Sequence, residues 1–497
     1  MEPFSEDIEK MPSTLRILHV TPEMAPFAKQ GGLGDVLGAL PCALRQLGID
    51  VRVLLPAYPG VLKKIRDLQL PIKKKTKCIH VALNYRVYSA ALYQVDFHDV
   101  PVYLLEQPDL FTNPDIYPVD INEQTSLPFI FLSLAGLELA SVINWNPHVF
   151  HVHDWPTASL PSALRWHQYY KEKGVNADTV ITIHNLAHQG IVDPTALIGW
   201  GFDKSAYTIQ GLEFYGQSNL LKGGILAADA ITTVSPNYSW DIQTEDGGFG
   251  LHGVLSENKH KLRGILNGID YDIWNPKKDQ SIPAPFNRDD LSGKKKCKKK
   301  LMELCGWADD NKPLLVFVGR LVEQKGIDIL LPALDWLLVE NCRMVLVGSG
   351  QAYYTDQIQS FAERYRDYFF AYTEFNEDMA HLAYAGGDML VMPSLFEPCG
   401  LSQMIAMSYG TVPIVRATGG LADTVIDFDG SADGTGFLFS DYSAEELSDA
   451  VFRAIKAYNN PKKWNELVRN CMQADFSWDA SAQTYHQLYQ ALRDGDF

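Results

Sequence analysis

The strongest constraint on this chain is a pattern that occurs twice. The apolar run Leu15 to Val20 leads into a glycine turn, Gly31, Gly32 and Gly34. Apolar residues at helical spacing follow from Val36 to Leu47, then a stop at Gly48 and a second apolar run, Val51 to Leu55. Strand, glycine turn, helix, strand is the order of a βαβ unit, and its crossover helix makes the two strands parallel. The order returns downstream. Leu314 to Val318 reads as a strand, Gly319 to Gly326 as a loop, Ile327 to Val339 as a helix, Met344 to Val347 as a strand and Gly348-Ser349-Gly350 as a turn. The chain is therefore expected to be an α/β protein with two nucleotide-fold-like halves.

With 497 residues there is room for two or three domains. The stretch Pro276 to Pro313 lacks the strand periodicity of its flanks and carries Pro283, Pro285, Gly293 and the basic run Lys294 to Lys300. It reads as the connection between domains, placing one at 14–275, a second at 276–478 and a closing helix at 479–497 that could pack on either domain. A formal charge of −17 repels nucleic acid and anionic membrane, so the lysine run is expected to be a solvated helix face. Any bound phosphate must then sit in a local pocket. The seven cysteines form no C-x-x-C pair and read as reduced thiols. Residues 1–14 lack an apolar signal core and are too acidic for a transit peptide, and no apolar run approaches membrane-span length, so a cytoplasmic location is expected.

Four segments carry candidate chemistry. In Lys29-Gln30-Gly31-Gly32-Leu33-Gly34-Asp35 the glycines let backbone approach a ligand, and a helix start offers amides to an anion beside the Lys29 charge. The spacing is neither that of a Walker loop nor of the dinucleotide fingerprint, and a structural turn would look the same. Glu397 follows the strand-like run Met389 to Met392, where a carboxylate meets sugar or ribose hydroxyls, although an acid at a helix start reads equally well. Arg320 and Lys325 put two cations on the loop after the second half's first strand, as a departing diphosphate requires in the absence of a magnesium cage, although a surface ion-pair loop reads the same way. Thr418-Gly419-Gly420-Leu421 repeats the first motif's logic after Val412 to Val415.

Competing chemistries fare worse. His148, His151, His153, His184 and His188 invite a zinc reading, but the H-E-x-x-H glutamate is missing, and His153 and His184 fall at strand ends rather than on one helix face, so no metal is expected. Asp-x-Asp pairs at Asp270/Asp272, Asp427/Asp429 and Asp494/Asp496 resemble metal and nucleotide-sugar holders but are expected by chance in so acidic a chain. No G-x-S-x-G elbow or Cys-His signature points to acyl transfer.

Taken in order, the motifs resemble the glycogen synthase and starch synthase family, from about Ile17 to Trp478. They are T-P-E-M-A-P-F-A-K-Q-G-G-L-G-D-V from Thr21, H-V-H-D-W from His151, T-I-H-N-L-A-H-Q-G from Thr182, L-K-G-G-I from Leu221 and T-T-V-S-P from Thr232. I-L-N-G-I-D from Ile265, L-V-E-Q-K-G from Leu321, F-E-P-C-G-L from Phe396 and the segment Tyr409 to Val425 complete the series.

That resemblance implies a GT-B-type architecture, two Rossmann-like domains facing across a central cleft, with the acceptor on the first, the nucleotide-sugar donor on the second and the closing helix 479–497 packing back on the first. It implies retaining transfer of glucose from ADP-glucose to the non-reducing end of an α-1,4-glucan, without cofactor or metal. Carried over by residue, Lys29, Gly31, Gly32 and Gly34 meet the donor phosphates or the acceptor, and Arg320 and Lys325 neutralise the diphosphate. Glu397 holds sugar hydroxyls, His184 lies beside the moving glucose, Asp154 and Asp35 stand on the acceptor side, and the Gly419, Gly420 and Leu421 amides complete the phosphate cradle. Departures from the family pattern are Gln30 for Thr or Val, His188 for Tyr, Gly319 for Ser and Ser402 for Thr or Asn. Three alternatives stay open: a non-catalytic glucan-binding relative, a UDP-glucose donor, or a different acceptor.

Overall fold

The computed structural model describes residues 14–497 except 114, 309, 339–341, 375, 431 and 432. The described chain divides into two compact units. The first comprises residues up to Thr232, with Gly253–Arg263 and Asp479–Phe497; the second comprises Thr233–His252 and Gly264–Trp478. The division thus falls at 263/264 rather than at 275/276, and a short stretch after Thr232 joins the second unit. Hydrogen bonding explains this. Ile265 N–H donates to Thr233 O at 2.8 Å and Ile269 N–H to Phe476 O at 2.8 Å, while Asn237 N–H and Gly419 N–H donate to the Asp423 and Asp241 carboxylates at 2.8 and 2.9 Å.

In the first unit the strands lie in the order Leu262–Gly264, Ala230–Thr233, Asp178–Ile183, Val149–His153, Arg16–Val20, Asp50–Pro56, Val100–Glu106, Arg86–Phe97 and Ile72–Lys74, with Ile79–Leu83 also on Arg86–Phe97. Asp178–Ile183, Val149–His153, Arg16–Val20, Asp50–Pro56 and Val100–Glu106 pair in parallel; the strands beyond them at Arg86–Phe97 run antiparallel. The parallel strands are nearly continuous apolar runs, as burial on both faces demands. Arg16–Val20 pairs Asp50–Pro56 on one side and Val149–His153 on the other, so the order in which strands are added reverses between Arg16–Val20 and Val149–His153. Ligands of doubly wound sheets gather at such a switch point, beyond the strands' carboxyl ends.

The second unit repeats the plan with six parallel strands in the order Phe369–Tyr372, Arg343–Val347, Leu314–Val318, Met389–Met392, Val412–Arg416, Phe437–Phe439. Its switch point lies between Leu314–Val318 and Met389–Met392. The expected helix from Ile327 spans Ile327–Leu337; its expected last residue, Val339, lies outside the described residues.

Two sequence expectations change. Glu123–Ile143 is a 21-residue helix long and apolar enough to cross a membrane by length and composition, against the expectation that no such run exists. Of its most apolar stretch, 67% is buried within the protein, and Asn122 starts it with a reciprocal cap on Thr125, so it behaves as a core helix. The lysine run lies on the helix Ser292–Leu304, and it is not wholly a solvated face. Lys294 Nζ is buried and donates to Ala385 O, Tyr409 O and Thr411 Oγ1 at 3.2, 3.0 and 2.8 Å. Lys298 Nζ meets the Asp388 carboxylate at 2.7 Å and Lys312 O at 2.8 Å. Buried ammonium groups need such partners, and these pin the connecting helix to the second unit. The helix Trp478–Asp494 reaches the first unit's core, where Tyr489 OH contacts His151 Nδ1 at 2.6 Å.

Candidate functional site

In the first unit the chain leaves Arg16–Val20 and turns through Thr21–Gly31 into the helix Gly32–Gln46. The turn is organised by Glu23, to which the sequence reading assigned no role. Its carboxylate is buried and accepts from Gln30 N–H at 2.6 Å, Gly31 N–H at 2.8 Å and Tyr117 OH at 2.6 Å. One of the amides expected to meet a ligand, that of Gly31, is therefore taken from within. A Cβ at Gly34 would stand 2.9 Å from Lys29 Cγ, so the loop passes too close to its own lysine for a side chain there. Gly31 caps the helix without a side-chain hydrogen bond, which leaves the helix start at Gly32 and Leu33 to the loop. Lys29 pairs with Asp35 at 2.6 Å, half-exposed on both sides. Gln30, a departure from the family pattern, uses Oε1 to accept from Ile116 N–H at 3.1 Å and Tyr117 N–H at 3.4 Å, fastening that neighbouring loop.

Across the switch point, Asp154 follows Val149–His153 with φ +53, a left-handed backbone a non-glycine residue rarely holds. Its Oδ1 accepts from His184 N–H at 2.7 Å and Asn185 N–H at 3.3 Å, joining the ends of two adjacent strands. Desolvation pushes its carboxyl up to about 7, against those two amide bonds and with help from the Glu23 charge. His184 is half-buried, and burial holds its imidazole down to about 3. Among the described residues His19, His151 and His153 have ring nitrogens close enough together to suggest a metal. The chemistry does not fit: His153 already engages His19 and His184 at 3.0 Å each, and His151 engages Tyr489 and Thr182 at 2.6 and 2.5 Å. An ion there would have to break those bonds. His148 stands apart, accepting from Arg16 N–H at 3.1 Å.

In the second unit, Arg320 and Lys325 lie on the loop after Leu314–Val318 and Glu397 on the loop after Met389–Met392, the two strands that flank the switch point. Lys325 Nζ rests on Glu397 Oε2, which also accepts from Ser394 Oγ at 3.1 Å. The Glu397 side chain is 7% exposed and that of Lys325 17%, so both charges are held largely out of water. The two loops are stitched further by Leu395 N–H to Gln324 O at 2.9 Å and Gln324 Nε2 to Phe396 O at 3.1 Å. Gly326, at φ +71, lies against Pro393, whose carbonyl oxygen would sit 2.0 Å from a Cβ. Arg320 is exposed and makes no ion pair among the described residues.

The Gly419–Leu421 turn joins this cluster by backbone. Gly420 N–H donates to Glu397 O at 3.1 Å, and a Cβ at Gly419 would fall 1.9 Å from that same oxygen. The three amides expected to cradle phosphate are all engaged within the chain: Gly419 on Asp241 at 2.9 Å, Gly420 on Glu397 O, and Leu421 on Thr418 O at 3.1 Å. What these glycines supply here is close packing of the turn against the Glu397 loop. Asp241, Ser394, Glu23, His19 and His153 were not foreseen as site residues; for Glu23 the available signal was an acid among apolar residues at a strand's carboxyl end. Each unit thus presents one cluster: Lys29, Gly31–Gly34, Asp35, Asp154 and His184 in the first, and Arg320, Lys325, Glu397 and Gly419–Leu421 in the second.

Known proteins are similar to this chain in sequence and fold. Residues 16–257 match the family described as starch synthase catalytic domain, and residues 307–470 match glycosyl transferases group 1. Glycogen synthase 2 of Geobacter metallireducens is 42% identical over 484 residues, covering 97% of this chain and 99% of that protein. The catalytic domain of starch synthase IV from Arabidopsis thaliana, solved with ADP and acarbose bound, superposes with a TM-score of 0.89 at 32% identity, covering 97% of this chain and 100% of that one. Sucrose-phosphate synthase from Thermosynechococcus elongatus, at 18% identity and a TM-score of 0.61 over 97% of this chain and 100% of that one, shares the fold alone.

Proposed function

The chain belongs to the glycogen and starch synthase family of glycosyltransferases and has the GT-B fold, two Rossmann-like α/β domains, and on that premise we propose that it transfers glucose from ADP-glucose to the non-reducing end of an α-1,4-glucan with retention. A nucleotide-sugar donor and a glucan acceptor follow from the family. The choice of ADP-glucose is supported by the ADP bound to the plant starch synthase catalytic domain, which covers nearly the whole of this chain.

The observation that carries the reading is the buried contact of Lys325 with Glu397 at the second unit's switch point. A carboxylate held there with a fixed cation has the two functions the reaction needs: acceptance of hydrogen bonds from the hydroxyls of the glucosyl group, and a positive charge for the phosphate it leaves. In this reading Arg320 and Lys325 compensate the diphosphate as the anomeric carbon–oxygen bond breaks, without a metal. The acceptor's 4-hydroxyl oxygen bonds to that carbon, and its proton passes to the departing phosphate oxygen. Because the diphosphate competes with Glu397 for Lys325, donor binding redistributes a charge pair already in place. Asp154 fixes the His184 backbone on the acceptor side, and Lys29 with the helix start at Gly32 meets phosphate or acceptor.

The deciding experiment is initial rates with ADP-glucose and UDP-glucose side by side, glycogen as acceptor. Faster transfer from ADP-glucose is expected. No transfer from either donor would make the chain a glucan-binding relative, and a preference for UDP-glucose would reassign the donor.

A further inference from the structure

Strand register brings three imidazoles into a line in the first unit. His19 on Arg16–Val20 is the register partner of His151 on Val149–His153, and His153 is that of Thr182, two residues before His184. His19 Nδ1 lies 3.0 Å from His153 Nε2, and His153 Nδ1 lies 3.0 Å from His184 Nε2. His19 and His153 are fully buried, and His19 Nε2 has no partner among the described residues. His151 is not part of the line; its nitrogens are held by Tyr489 and Thr182, and its ring packs at 4.7 Å on His19 and 4.4 Å on His153.

We infer that His19 and His153 are positioning residues, a one-way hydrogen-bond wire that keeps the His184 proton on Nδ1, the nitrogen left to donate to a hydroxyl of the moving glucose. The inference rests on the reading that His184 lies beside that sugar. A neutral imidazole has one N–H and one lone pair, so each ring in a line of contacts donates once and accepts once. Burial keeps the rings neutral, holding His19 and His184 down to about 3 and His153 well below its ordinary value. Only two polarities then exist. If the line ran from His184 inward, His19 would carry its proton on Nε2, a fully buried N–H with nothing to receive it, the kind of orphan native structures rarely contain. Running outward, His19 Nδ1–H donates to His153, His153 Nδ1–H donates to His184 Nε2, and the unpartnered atom is a lone pair. His184 is then obliged to be a donor at Nδ1. A solvent-exposed imidazole prefers its proton on Nε2, so the wire predicts the less common form.

The test reads the tautomer directly on the full chain, labelled with 15N-histidine, by long-range 1H–15N correlation; His184→Asn identifies the resonance by its loss. A protonated Nδ1 and an acceptor Nε2 at His184 are expected, and a protonated Nε2 would overturn the wire. The measurement needs no substrate, so it stands apart from the functional reading, which wild-type turnover tests. Kinetics supply the second arm. Glutamine can accept from His19 and donate to His184, so His153→Gln should stay within about threefold of wild-type kcat, while His153→Phe should lose about tenfold or more with KM for glycogen little changed. In a His184→Ala background His153→Phe should cost nothing further, because the wire acts only through His184. An equal loss in both backgrounds would make His153 a packing residue and overturn the assignment.

Discussion

Replacing the two members of the Glu397–Lys325 pair one at a time should separate stability from catalysis. Glu397 Oε2 has two donors, Lys325 Nζ and Ser394 Oγ at 3.1 Å, and the side chain is 7% exposed. Glu397→Gln keeps the shape and a carbonyl oxygen for Lys325, whose side chain, 17% exposed, retains some access to water. The stability loss should be about 1 kcal/mol, that of weakening one charged hydrogen bond. Lys325→Ala is different, because it leaves a buried carboxylate with a single hydroxyl donor among the described residues. Removing one partner of a buried pair in this way costs about 3 kcal/mol. Both variants should lose turnover about a hundredfold or more, equivalent to about 2.7 kcal/mol of transition-state stabilisation. The measurements are urea unfolding at neutral pH and initial rates of glucosyl transfer to glycogen. If Lys325→Ala proved at least as stable as Glu397→Gln, the desolvation argument would fail; near-normal turnover by either would remove the pair from the site.

Other outcomes follow from the same geometry. Gly326→Ala places a Cβ at φ +71 and 2.0 Å from Pro393 O, so it should destabilise by about 3 kcal/mol and slow transfer by displacing Lys325; unchanged urea unfolding would refute the close approach. Gly319→Ser, a change toward the family pattern, meets nothing nearer than Phe317 at 3.6 Å and should alter stability by less than about 0.5 kcal/mol, checked by thermal unfolding. Acid should act through the histidines: desolvation holds His19 and His184 down to about 3 and His151 and His153 well below their ordinary value, while the unfolded chain charges them near pH 6.5. Their contribution is therefore complete above about pH 6.5 and is lost as pH falls toward about 3, by about 1 kcal/mol per histidine over the first pH unit. Denaturant titrations on either side of pH 6.5 check this, and equal stability at both would contradict the burial of the cluster.

The placement of much of the candidate site was legible in the sequence. Glycine turns between an apolar run and a helical pattern marked the carboxyl ends of parallel strands in two sheets, and Lys29, Arg320, Lys325 and Glu397 fell at those ends because a strand's carboxyl end is a local property of the chain. The lysine run misled because composition counts charges without saying which face they occupy: Lys294 and Lys298 share their helix with lysines that remain exposed. The Gly419–Leu421 amides misled for a related reason, since a motif shows that backbone is available to come close but not what it comes close to.

What the sequence determined by itself was periodic and local: where strands end, where glycine permits a turn, and which charged residues stand beside it. Pairing was decided only by the tertiary structure. Glu23 reaching Tyr117, His19 reaching His153 and Asp241 reaching Gly419 join residues 94, 134 and 178 positions apart. Such contacts depend on strand order and register, and these are settled by burying both faces of each sheet at once, a cooperative choice of the whole chain that no short segment records.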